Sequence, residues 1–262
     1  MDKRPIGIFD SGVGGLTVLK QVEELLPKED IIYFGDTARV PYGNKSRPTV
    51  IKFTTQCILF LLRKKVKMII VACNTSSSLA LESLKAAFSL PIIGVIESGA
   101  RKALEVSTNN KIAVIGTRST ISSRSYEKAI RRKNKNIKIY VQSCPLFVPL
   151  AEEGLLKDRI AETAVKMYLK KIKDKKPGVL ILGCTHYPLL KRPIAGYLNG
   201  TYIVDSAREV ALEAKALLEA EGRLNPQGGN KQFYVSDEPT GFVKLARLFL
   251  HREISKPKVV NV

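Results

Sequence analysis

In Val179-Leu180-Ile181-Leu182-Gly183-Cys184-Thr185-His186-Tyr187-Pro188 an unbroken apolar run stops at Gly183, and three small or reactive residues follow at once. Buried parallel strands read as near-continuous hydrophobic runs, and sheets of that kind present their ligands at the carboxyl ends of the strands. Cys184, Thr185 and His186 are therefore expected at the mouth of a site and not in a core. Working outward, the same pattern occurs once earlier, where Met68-Ile69-Ile70-Val71-Ala72 runs into Cys73-Asn74-Thr75-Ser76. Two strands, each ending in a cysteine flanked by hydrogen-bonding residues, are the constellation to explain.

The remaining elements fall around these two strands. Ile6-Gly7-Ile8-Phe9 leads into Asp10-Ser11-Gly12-Val13-Gly14-Gly15 and then a helical pattern from Leu16 to Leu26, closed by Pro27. A strand at 31–34 is followed by a loop over 38–44, a helix over about 47–64, the first cysteine strand, a helix over 77–88 and a strand at 92–95. From Ile112 the order starts again: Ile6 and Ile31 are 25 residues apart, as are Ile112 and Ile137, while Ile69 to Ile92 and Leu180 to Ile203 both span 23. Strand–helix alternation predicts parallel sheet with helices on both faces. Its recurrence predicts two similar α/β lobes related by pseudo-symmetry, with the site in the cleft between them. The first lobe is expected to hold residues 1–97 and 207–262 with Cys73, and the second 98–206 with Cys184. The tail has no counterpart after the first lobe: a helix over about 206–221, a strand at 232–235 and a last helix over 241–250. It is expected to pack back on lobe one, with the end frayed from Ser255.

The chain has 262 residues, 45 % of them hydrophobic, enough for one large or two modest domains. No apolar run approaches the roughly 18 residues of a membrane span, and the start lacks the apolar segment of a secretory signal, so a cytoplasmic location is expected. Four cysteines in a chain of this length do not form a disulfide framework. The net charge of +19 is the unusual number, and its basic clusters, at 63–67, 131–135 and 170–176, fall toward helix ends where cations suit the dipole. A nucleic-acid surface would want them on one face with interleaved aromatics. They are dispersed and aromatic-poor, so a nucleic-acid partner is disfavoured but stays open, and the field favours an anionic small-molecule substrate.

Cys57 reads as a small buried hydrophobe, and so does Cys144. Cys73 and Cys184 do not. No CxxC or HxxxH pair is present to complete a zinc sphere or a dithiol motif, so no metal is expected. What remains is acid–base chemistry by two thiols, whose ordinary pKa near 8.5 suits either role once tuned. Two thiols on opposite sides of one carbon can take a proton from one face and return one to the other, which inverts the centre. His186 is placed to share the Cys184 proton, and Asp10, ending the first strand, should lie beside Cys73. With Ser11 and the open amides of Gly12, Gly14 and Gly15, Asp10 forms a cradle for an anion and an amine; the glycine run lacks a Walker lysine.

Four motifs in order, Gly7-Ile8-Phe9-Asp10-Ser11-Gly12-Val13-Gly14-Gly15, Tyr33-Phe34-Gly35-Asp36-Thr37-Ala38-Arg39-Val40-Pro41-Tyr42-Gly43, Ala72-Cys73-Asn74-Thr75 and Gly183-Cys184-Thr185-His186-Tyr187-Pro188-Leu189, resemble the glutamate racemase family over nearly the whole chain. The resemblance implies interconversion of L- and D-glutamate without pyridoxal phosphate or metal, supplying D-glutamate for peptidoglycan. It implies that Cys73 takes the proton from the D-isomer and Cys184 from the L-isomer, with Asp10 assisting the first thiol and His186 the second. Glu152, in Ala151-Glu152-Glu153-Gly154, matches the family's motif carboxylate. Asp10, Ser11, Tyr42, Gly43, Asn74, Thr75, Thr117, Thr185 and His186 match its substrate-binding positions, many acting through backbone amides. The run Ser76-Ser77-Ser78 and the +19 charge depart from the family pattern. A sibling racemase acting on aspartate is the nearest alternative, since one methylene is worth only about 1–3 kcal/mol in a pocket. A basic nucleic-acid-binding protein is the alternative from another class. A homodimer is compatible with the sequence, which does not itself set the assembly.

Overall fold

A computed structural model describes residues 1–262. Ten strands are all parallel to their neighbours: β1 (Ile6–Asp10), β2 (Ile31–Gly35), β3 (Met68–Val71), β4 (Ile92–Gly94), β5 (Lys111–Gly116), β6 (Lys138–Ser143), β7 (Val179–Gly183), β8 (Tyr202–Asp205), β9 (Lys231–Val235) and β10 (Lys258–Val259). They form a six-stranded sheet ordered β10-β9-β2-β1-β3-β4 and a four-stranded sheet ordered β6-β5-β7-β8. The β2-β1-β3-β4 run of the first sheet and all four strands of the second share one arrangement: second, first, third, fourth. Cys73 and Cys184 each follow the third strand of their set.

Twelve helices cover the sheets: α1 (Leu16–Leu25), α2 (Arg47–Arg63), α3 (Asn74–Leu79), α4 (Leu81–Ala87), α5 (Val95–Glu105), α6 (Arg118–Ser122), α7 (Ser125–Lys133), α8 (Phe147–Glu152), α9 (Arg159–Asp174), α10 (Lys191–Tyr197), α11 (Ser206–Ala220) and α12 (Pro239–Leu250). None is long and apolar enough to cross a membrane. Several start where the sequence supplies a cap. The Asp158 carboxylate accepts from the Ile160 and Ala161 amides at 2.8 and 2.9 Å, and Asp205 accepts from Ala207 at 2.9 Å.

Burial explains the unbroken apolar runs. In β3, Met68 and Ile70 face a cluster built with α1, α11 and α12, while Ile69 and Val71 face one built with α2. In β7, Leu180 and Leu182 face α9, while Val179 and Ile181 face α5 and α7. With side chains alternating between two covered faces, every position is apolar.

Two local expectations are corrected. The helix read from residue 77 begins at Asn74, because the Cys73 sulfur accepts the Ser76 amide at 3.5 Å and caps it, and it breaks at Ala80. The end is not frayed from Ser255: Lys258–Val259 pairs with the open edge of β9, and Val260 and Val262 pack on the α2 side of the first sheet. Several helices were not read, among them α5, α8 and α10. α5 follows β4 directly and crosses to the second sheet, and its Gly99 is so close to Ser206 that an added Cβ would sit 2.3 Å from the hydroxyl.

Candidate active site

The two cysteine strand ends converge on one cavity of about 380 Å³, the size of a small-metabolite site. Cys73, Asn74 and Thr75 enter from the first sheet and Cys184, Thr185 and His186 from the second. Ser11 and Gly12, from the turn after β1, form one wall, and the Val40–Asn44 segment roofs it. That both thiols are buried yet line a cavity separates them from Cys57 and Cys144, which are buried in cores.

Lobe one meets lobe two closely at this level. An added Cβ at Gly14 would lie 2.2 Å from Thr185 Oγ1 and 2.5 Å from His186 Nδ1, so only glycine lets the turn pass. At Gly43 the same atom would lie 2.7 Å from Thr117 Cβ. The Ser119 hydroxyl donates to the Gly43 carbonyl at 2.8 Å, and the Thr75 and Thr117 hydroxyls lie 3.0 Å apart. Asn74 donates its side-chain amide to the Tyr126 hydroxyl at 2.9 Å, which in turn lies 3.1 Å from Ser206.

Two acid–base groups accompany the thiols, one on each side. Asp10 is fully buried at the end of β1, beside β3 through the Phe9–Val71 register. Its Oδ2 accepts from the Gly12 amide at 3.0 Å and its Oδ1 has no partner. Burial pushes the Asp10 carboxyl up, against the lowering effect of His186 and of backbone donors. Burial, then the Asp10 charge, pushes the Cys73 thiol up to about 11. On the other side, His186 Nδ1 lies 3.9 Å from Cys184 Sγ and its Nε2 lies 2.8 Å from Glu152 Oε1. Burial alone would favour the neutral ring, but the hydrogen bonds to Cys184 and Glu152, with their charges, push His186 up to about 10. The first side thus keeps its proton on sulfur at neutral pH, and the second holds an imidazolium between a sulfur and a carboxylate.

Of the residues singled out in the sequence, Ser11, Tyr42, Gly43, Cys73, Asn74, Thr75, Thr117, Glu152, Cys184, Thr185 and His186 line the cavity, and Asp10 stands directly behind Ser11. It is Glu152, not its neighbour Glu153, that reaches His186. The Tyr42 ring is buried with its hydroxyl on the Asp36 carboxylate, so this residue faces the cavity through its main chain. Sequence reasoning gave no site role to Val40, Pro41, Asn44, Arg118, Pro145, Val148 or Pro149, which also line the cavity. Cys144-Pro145-Leu146-Phe147-Val148-Pro149 is part of the family resemblance but carries no charge or repeat that would mark its members as site residues, and Arg118 follows Thr117 in what reads as an ordinary helix start.

Fold and site together define a two-lobed α/β protein with a thiol from each lobe in a shared cleft. The chain belongs to the Asp/Glu/hydantoin racemase family, which it matches over residues 6–214. It is 47 % identical over 253 residues to a glutamate racemase of Geobacter metallireducens, covering 95 % of this chain and 94 % of that one. It is also similar to the crystal structure of glutamate racemase from Francisella tularensis in complex with D-glutamate, with a TM-score of 0.94, 42 % identity and coverage of 100 % and 98 %. A glutamate racemase isoform from Bacillus anthracis superposes with a TM-score of 0.96 at 37 % identity, covering 100 % of this chain and 99 % of that one.

Proposed function

We propose that this protein interconverts L- and D-glutamate by passing the α-proton between two cysteine thiols, using its own side chains as the acid–base groups. The observation that carries the reading is that Cys73 and Cys184, at the ends of topologically equivalent strands of different lobes, line one cavity. In the L-to-D direction Cys184, as thiolate, removes the α-proton, and the electron pair left on the carbon is delocalised into the α-carboxylate. The Cys73 S–H then delivers its proton to the other face. The reverse direction needs Cys73 deprotonated, and the unpartnered Asp10 Oδ1 is the acceptor, while His186 returns a proton to Cys184. Backbone amides around Ser11, Asn74 and Thr185 hold the α-carboxylate against the developing charge.

The relatives at 47 and 42 % identity are glutamate racemases, which supports glutamate over aspartate. Within the same proposal the chain divides into lobe one, residues 1–97 and 207–262, and lobe two, 98–206, and works in the cytoplasm as a source of D-glutamate for peptidoglycan. A homodimer is its expected assembly, which light scattering reads directly. The reading is tested by incubating the purified protein with each enantiomer in deuterium oxide and separating the products by chiral chromatography. Racemised glutamate carrying deuterium at Cα is expected. Unchanged glutamate, or racemised aspartate alone, would overturn it.

A further inference from the structure

The Val40–Asn44 roof belongs to the first lobe, but its outer end is held by the second. Its base is anchored from its own side: the Arg39 guanidinium pairs with Asp36 at 2.7 Å and lies 4.4 Å from the Phe53 ring centroid, and the Tyr42 hydroxyl bonds the same carboxylate. The outer end crosses to the first turn of α6. There the Ser119 hydroxyl donates to the Gly43 carbonyl at 2.8 Å and lies 3.2 Å from the Lys45 carbonyl, so one proton serves two acceptors. The same turn is gripped from the Cys73 strand end by Thr75, whose hydroxyl lies 3.0 Å from that of Thr117 and 3.3 Å from that of Thr120.

Thr75, Thr117 and Gly43 line the cavity, whereas Ser119 does not. The Tyr42 ring is turned away and Gly43 has no side chain, so at these two positions the roof presents main chain to whatever is bound. A peptide unit is planar, with its N–H opposed to its C=O, so the direction of the Gly43 carbonyl also fixes that of the Asn44 amide. Ser119 thereby sets how the roof faces the cavity without being part of the wall. We propose that Ser119 is a positioning residue, a latch by which the second lobe holds the roof of the first in its working orientation; the role rests on the reading of the site as a glutamate racemase.

The hydroxyl is partly exposed, so the expected effect is that of one ordinary hydrogen bond, a factor of about three to ten. Ser119→Ala is expected to raise KM for both enantiomers of glutamate by that factor and to leave kcat within about twofold, because the thiols and their partners stay in place. Ser119→Thr, which keeps the hydroxyl, should stay close to wild type. In the free protein, amide hydrogen exchange over residues 40–46 should quicken by a similar factor in Ser119→Ala, with the urea midpoint and exchange in β3 unchanged. A role confined to the α6 turn would instead move the urea midpoint and exchange within α6. An unchanged KM, or unchanged roof exchange, would overturn the latch. Because exchange is read without substrate, it still judges the latch if the wild type proves inactive on glutamate, a result that would sink only the glutamate reading.

Discussion

His186 and Glu152 form a buried-to-exposed pair: the imidazole is almost fully enclosed, while the carboxylate 2.8 Å from its Nε2 keeps 39 % of its side chain in solvent. The enclosed ring stays protonated by its contacts with Cys184 and with a carboxylate that remains partly hydrated. Replacing Glu152 by Gln should lower the His186 pKa from about 10 toward the ordinary 6.5. Only two histidines are present, so an imidazole NMR titration reads this directly, with exposed His251 as reference. The stability difference between wild type and Glu152→Gln should be largest below pH 6.5, where the ring is charged in both folded and unfolded chains. It should shrink as pH rises and vanish near pH 10, where the folded ring loses its proton.

The two thiols should fail differently from a structural cysteine. Cys73→Ser or Cys184→Ser is expected to lower racemisation at least about 10²- to 10⁴-fold with little change in unfolding midpoint, since each removes an acid–base group from a cavity wall. Each variant should still strip the proton from one enantiomer of a glutamate analogue bearing a good leaving group: Cys73→Ser from the L-isomer and Cys184→Ser from the D-isomer. Full racemisation by Cys184→Ala would refute the two-thiol mechanism.

Gly14→Ala places a methyl group 2.2 Å from Thr185 Oγ1, which the packed strand end cannot yield without moving His186. Overpacking of this kind costs about 1–3 kcal/mol. Urea unfolding should show that loss, and kcat should fall with it because the displaced group is the partner of Cys184.

Tyr126→Phe removes the hydroxyl that accepts from buried Asn74 and leaves its amide unpaired, at a cost of about 1–3 kcal/mol. Since Asn74 also lines the cavity, KM should rise along with the loss of stability. Tyr126→Phe with normal KM would mean that Asn74 does not take part in binding.

What could be read in advance follows from where each signal lies. The strands ending at Cys73 and Cys184 announce themselves because burial on both faces leaves no room for a polar residue, so the break in the pattern marks the site. α5 left no such trace: Ile96, Ala100 and Ala103 keep helical spacing, but Gly99, needed for the approach to Ser206, interrupts the run as a turn residue would. The pairing of Lys258–Val259 depends on an open edge at β9, which only tertiary structure creates. Arg118 was silent for the same kind of reason, because its place on the cavity wall exists only in the folded chain.

The shared strand order of the two sheets bears on handedness. An object and its mirror image cannot both fit an ordinary chiral receptor well, yet the reaction proposed here requires one receptor to accept both. A frame assembled from two like halves answers that demand, because each half offers an equivalent strand terminus from which to address one of the two opposed faces. Left- and right-handed glutamate then differ in which half their reacting hydrogen points toward, and the rest of the molecule can stay where it is.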